Sequence, residues 1–184
     1  MTPQRPLGLG THIFVPDAEA AVAFYSQAFG AAELIRHRLP DGRVLFVELA
    51  VGPDKLLLSE EIAELNALAP SSLGGSPVML LLELDDVDGT FEHAVEMGAT
   101  VEMPVAEMFW GERYGIVRDP FGHHWALCTR REQLAPDEVA ERGAGRAHRR
   151  YLGQPLSLIM RRLVCVSGCG VQVAVGHAAV GCGG

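Results

Sequence analysis

The 184-residue chain contains no run of 18 apolar residues, which excludes a transmembrane helix of ordinary length. Its start, MTPQRPLGLG, lacks a basic segment followed by an apolar stretch, so no signal peptide is expected and the expected location is the cytoplasm. Cysteine is scarce in the body: Cys128 stands alone there, while Cys165, Cys169 and Cys182 fall in the last 20 residues. A disulfide scaffold is therefore excluded for the body. Basic residues are also few. Residues 1–133 carry 9 basic against 20 acidic side chains, a net of −11, and residues 134–184 carry 6 against 3, a net of +3. Nucleic acid needs lysine and arginine against its phosphates, so it is not an expected partner. An acidic body suits a cationic ligand, and it equally suits an ordinary solvated surface. No glycine-rich phosphate loop is present, and no nucleophile–base pair stands out. Cys128 lies four residues after His124, but that spacing on one strand does not bring thiol and imidazole together.

What the sequence does hold is a repeat. Thr11–Val15 reads as a strand, Asp17 as an N-cap, and AEAAVAFYSQAFG as a helix closed by Gly30. Strands follow at 34–39, 43–51 and 55–59, joined by the turns PDG and GPD. The order recurs with Val78–Leu84 as a strand, Asp85 and Asp86 capping the helix VDGTFEHAVEMGA, and strands at 100–103, 114–119 and 125–129. A shift of 68 residues carries Asp17 onto Asp85 and Gly30-Ala31 onto Gly98-Ala99. The expected fold class is α+β, two βαβββ modules at 7–62 and 78–131 within a domain of residues 1–133. Each half would curl a small sheet over one helix, and the two halves would enclose a cleft. Between them, EEIAELNALA suggests a helical turn and PSSLGGSP a linker. Residues 134–150 read as a short acidic helix, PDEVAERG, and a basic linker; residues 151–184 form an irregular tail rich in Gly, Val and Cys.

Three stretches, FVPDAEAAVAFYSQAFGA, the DDVD helix ending in GA, and FWGERYGIVRDPFGHHWAL, resemble the vicinal oxygen chelate superfamily. That group contains glyoxalase I, bleomycin-resistance proteins and extradiol dioxygenases, and the likeness is nearest to glyoxalase/bleomycin-resistance and PhnB-like members. It spans about residues 7–133. The resemblance implies a small-molecule ligand, a homodimer with ligand sites at or near its interface, and, in the enzymes, a divalent metal on four inward side chains. Those four positions fall here on Gly10, Leu58, Met79 and Ala126. None offers the nitrogen or carboxylate oxygen that such a metal takes, so no metal cofactor is expected. Residues two away share a strand face, which leaves an alternative: a displaced divalent metal site of His12, Glu60 and His124, serving a glyoxalase-like lyase, isomerase or dioxygenase. As plain structure, the two histidines would be hydrogen-bonded walls and Glu60 a strand end.

Strand alternation lines the expected cleft with His12, Phe14, Leu58, Met79, Glu83 and His124, and turns Trp125 and Leu127 toward a helix. The stretch from Met108 to Arg131 adds Trp110, Arg113 and Tyr114. Gly111 and Gly115 bracket a bend in this reading, and DPFG is a turn set by Pro120 and Gly122. An indole can stack on a planar or cationic ligand, and Arg113 can pair with an internal carboxylate or with a ligand acid. Trp110 could equally pack at a dimer seam. The expected function is binding of a cationic or aromatic compound, an antibiotic or toxic metabolite held by sequestration. In the tail, Cys165, Cys169, His177 and Cys182 offer thiolate and imidazole donors at a spacing unlike common zinc motifs.

Overall fold

The computed structural model of the chain describes residues 10–143. The basic linker beyond Gly143, the tail and its cysteine–histidine set lie outside the described residues.

Each helix starts and stops where its side chains dictate. Asp17 has an extended backbone and its carboxylate accepts from the Ala20 amide at 3.0 Å, opening α1 (Ala18–Phe29). Gly30 closes it at φ 66°, a conformation that only glycine adopts without strain. Asp86 caps α3 (Val87–Glu96) in the same way, accepting from the Gly89 amide at 3.1 Å. The true N-cap pair is therefore Asp17 and Asp86 rather than Asp17 and Asp85.

Around these helices the strands form two sheets with the same wiring. In the first, β1 (Thr11–Val15) runs parallel to β4 (Asp54–Glu60), and β3 (Val44–Val51) and β2 (Ala32–Arg38) continue antiparallel. In the second, β5 (Met79–Glu83) runs parallel to β8 (His124–Arg130), followed by β7 (Glu112–Arg118) and β6 (Thr100–Glu107). This is the βαβββ unit twice, as the repeat implies. The linker carries a 3₁₀ turn at Ala63–Leu65 and a short helix, α2 (Pro70–Leu73), and α4 (Pro136–Arg142) closes the described chain.

The core is shared by both modules. Helices α1 and α3 pack on each other and on the sheets, so the helix-facing sides of the two sheets meet in one apolar cluster. Tyr25 and Phe29 of α1 lie 5.4 and 4.7 Å, ring to ring, from Trp125 of β8. Phe121, from the DPFG turn, stands edge-on to Phe24 and Tyr25. Trp125 and Leu127 are thus core residues facing a helix, as alternation predicts. One expectation fails here. Gly111 and Gly115 do not bracket a bend: β7 already begins at Glu112. Gly115 sits inside it because a Cβ would lie 2.9 Å from both Phe91 of α3 and Val105 of β6.

Candidate functional site

Helices α1 and α3 cover one face of each sheet, and each sheet keeps the other face turned away from the shared core. On the second sheet that face is set by β8. Trp125, Leu127 and Thr129 point to the helices, so His124, Ala126 and Cys128 point the other way. Register then brings Met79 opposite His124, Glu83 opposite Cys128, and Tyr114 opposite Cys128 from the other side. Five of the sequence-derived residues therefore share this face: Met79, Glu83, Trp110, Tyr114 and His124.

Their contacts are specific. The Trp110 and Tyr114 rings meet edge to face, 5.7 Å between centroids at 78°. The indole N–H donates to Glu112 at 2.8 Å, which fixes the ring beside a carboxylate. The Tyr114 hydroxyl reaches the Met79 sulfur at 3.6 Å. His124 Nδ1 lies 2.5 Å from Glu102, whose other oxygen faces Arg118. Arg130 donates to Glu83 at 3.0 Å. Cys128 is buried, and desolvation followed by the nearby Glu112 and Glu83 charges pushes its thiol up to about 11. It stays protonated near neutral pH and is no nucleophile. Leu81, on the same face, is 67% exposed.

His12 and Phe14 occupy the matching face of the first sheet, their rings 4.6 Å apart. His12 Nε2 lies 2.8 Å from Ser59 Oγ. Burial pushes its pKa below the ordinary imidazole value, so the ring is neutral near pH 7. Ser59, buried beside it, escapes a sequence reading that assigns β4 the opposite parity.

Two expected ligand residues lie elsewhere. Leu58 pairs with Ile13 and Val47 on the helix side of the first sheet and is 0% exposed, so it is core. Arg113 pairs with Thr129 on the helix side of the second sheet, where its guanidinium grips Asp88 of α3 at 2.5 and 2.6 Å. It takes the internal carboxylate rather than a ligand acid.

The donor set does not fit a divalent metal. Gly10 and Ala126 carry no donor, Met79 offers only a thioether, and Leu58 is buried in the core. The displaced set does not assemble either. Glu60 pairs with Val15, and His12 with Leu57, so Glu60 lies on the face of its sheet opposite His12. Among the described residues no three His, Cys, Asp or Glu side chains group to hold a metal ion.

A family model described as the Glyoxalase/Bleomycin resistance protein/Dioxygenase superfamily matches residues 9–127. The chain belongs to this superfamily. An uncharacterized protein of Mycobacterium bovis is 39% identical over 134 residues, covering 71% of this chain and 88% of its own length. Among solved structures, a glyoxalase/bleomycin resistance protein/dioxygenase from Nocardioides is 25% identical, over 73% of this chain and 90% of its own, at a TM-score of 0.53. TnmS3, an antibiotic binding protein from Streptomyces sp. CB03234, is 26% identical over 69% and 99%, at 0.51. The superfamily's two modules are thus present in full, and no helix among the described residues is long and apolar enough to cross a membrane.

Proposed function

We propose that this superfamily member is a cytoplasmic, metal-independent binding protein that sequesters an aromatic or cationic small molecule, an antibiotic or toxic metabolite. It holds the ligand on the second sheet's outer face, and a second copy of the chain covers that face in a homodimer. The observation that carries this reading is the Trp110–Tyr114 corner beside Glu112, on the face that also holds Met79, Glu83 and His124. Two rings set nearly at right angles offer one flat wall for stacking and one edge for orientation. A carboxylate fixed beside the indole favours a positive charge over it. The likeness to an antibiotic binding protein of Streptomyces supports the class of ligand.

Tryptophan fluorescence tests the proposal, because Trp125 is turned toward the helices and 4% exposed, while Trp110 is the tryptophan on this face. A panel of planar and cationic antibiotics is titrated into protein treated with a chelator. At least one compound should quench the emission saturably, and calorimetry on Trp110→Ala, which lacks the fluorescent reporter, should find that binding weakened on the order of tenfold, as a stacking contact of about 1 kcal/mol or somewhat more implies. Binding that vanishes with the chelator, or that Trp110→Ala leaves intact, overturns the proposal.

A further inference from the structure

The described residues end beside the aromatic corner. After β8 the chain folds back over the connection between β6 and β7, where the Arg131 and Glu132 amides both donate to the Gly111 carbonyl at 2.9 Å. The approach is close: a Cβ on Gly111 would lie 2.7 Å from the Glu132 carbonyl oxygen and 3.2 Å from Leu134. It brings the end of α4 against Phe109, so that a Cβ on Gly143 would lie 3.0 Å from the Phe109 ring. Phe109 in turn stands edge-on to Trp110, 4.9 Å between centroids. One ring therefore separates Gly143 from the indole that heads the ligand face.

Residues 144–184 follow, and their charge has one sign: five arginines and no acidic residue. Arg149, Arg150 and Tyr151 stand together, and Tyr151 is the only Phe, Tyr or Trp of this stretch. The corner has the complementary character. Glu112 shares the outer side of β7 with Tyr114 and accepts the Trp110 indole N–H at 2.8 Å. No salt bridge among the described residues reaches Glu112, whereas Glu83, on the same face, is matched by Arg130. A segment that joins cation and aromatic ring meets there an unmatched carboxylate and two rings nearly at right angles. Reach is no obstacle. An extended chain covers about 3.3 Å per residue, so the stretch from Gly143 to Arg149 spans up to about 20 Å, against one ring's width to be covered. A short tether also holds its segment at an effective concentration on the order of millimolar, so a contact too weak for a free peptide is populated within one chain.

We propose that Arg149, Arg150 and Tyr151 dock on the Trp110–Tyr114–Glu112 corner as a built-in competitor for its ligand, the arginines beside Glu112 and the tyrosine against the two rings. This inference rests on the ligand face proposed above and adds its regulation: a compound binds at the corner by displacing the segment. The corner is one end of the face, so Leu81 stays available to a second copy.

The test uses the full chain and a readout that needs no ligand. Acrylamide, a neutral quencher, reports how open Trp110 is, since Trp125 is buried. In the Arg149→Glu/Arg150→Glu/Tyr151→Ala variant the quenching constant should rise about two- to threefold over wild type, as release of a corner occupied roughly half to two-thirds of the time implies. Arg161→Glu/Arg162→Glu, the same charge change further along the chain, should leave it as in wild type. Unchanged quenching in the first variant, or an equal rise in the second, overturns the docked segment. So does protection of Trp110 that grows with protein concentration and ignores both variants, which would make a second copy the occupant. A compound found in the antibiotic titration should bind the first variant about two- to threefold more tightly than wild type, and equal affinity again overturns the segment. If no compound binds either protein while the quenching difference persists, the small-molecule reading of the face fails and the segment stays on the corner.

Discussion

Asp119, in the DPFG turn, accepts four hydrogen bonds inside the core. Its Oδ2 takes the Tyr25 hydroxyl at 2.7 Å and the Trp125 indole N–H at 2.9 Å; its Oδ1 takes the Phe121 and His123 amides at 2.9 Å each. Two of these donors belong to the turn itself, one to β8, and one to α1 in the other module. His123 adds a further tie, its Nε2 lying 2.9 Å from the Phe14 carbonyl of β1. One carboxylate thus shapes the turn and joins the modules. Asp119→Ala leaves all four donors without this acceptor, so a loss of roughly 2–4 kcal/mol is expected in urea denaturation. A loss under about 1 kcal/mol would show that water replaces the carboxylate freely. Tyr25 supplies a pH test. Burial, then the Asp119 charge, raises its pKa well above the ordinary phenol value. Above about pH 10 the unfolded chain releases this proton and the folded chain keeps it, so the unfolded state binds fewer protons and stability falls as pH rises. Tyr25→Phe should be less stable at pH 7, by about 1 kcal/mol, and should decline less steeply between about pH 10 and 11. Parallel alkaline slopes for the two proteins would remove the tyrosine from that account.

At the scale of the element, the strands show which signals a sequence carries. Helix ends were legible because Asp17, Asp86 and Gly30 act through their own backbones and neighbours. The β8 faces were legible because Trp125 and Leu127 alternate with smaller or polar residues. β4 was not: Leu56-Leu57-Leu58 is apolar on both faces, and alternation has no contrast to read. Only the pairing of Ile13 with Leu58 and of His12 with Leu57 settles the parity, and pairing is not local information. The opposite parity turns Leu58 and Glu60 toward the site and hides Ser59. Truncation checks the assignment. Leu58→Ala should cost about 2–5 kcal/mol as a buried cavity, whereas Leu57→Ala, half-buried on the outer face, should cost less than half as much. Equal losses would undo the register of β4 against β1. β7 offers the converse case. Gly115 looks like a loop residue in the sequence, yet it is a strand position that lets Phe91 approach. Gly115→Ala must push Phe91 or Val105 aside, and roughly 1–3 kcal/mol of destabilisation is expected from such overpacking. A neutral or stabilising alanine would mean that α3 can lift from the sheet at no cost.

Taken whole, the molecule spends its helices on joining the two modules, and among the described residues no helix forms a layer over either outer sheet face. A sheet needs a partner on its apolar face. Ile35 on the first sheet and Met79 and Leu81 on the second are exposed large apolar residues of those faces. Covering these strands by a second copy is the expected solution, and it would complete the proposed ligand face from both sides. Light scattering at tens of micromolar should therefore give the mass of a dimer, and Leu81→Lys should move it toward the monomer. A wild-type monomer at that concentration would set the homodimer aside. Salt supplies an independent sign. Two copies that each carry −8 repel, so screening should strengthen a dimer held by apolar faces. Raising ionic strength from about 0.01 to 0.15 M shortens the screening length from roughly 30 to 8 Å, and the dimer should then tighten. If it weakens instead, the subunits are held by charge rather than by their sheet faces, and Leu81→Lys should then leave the dimer intact.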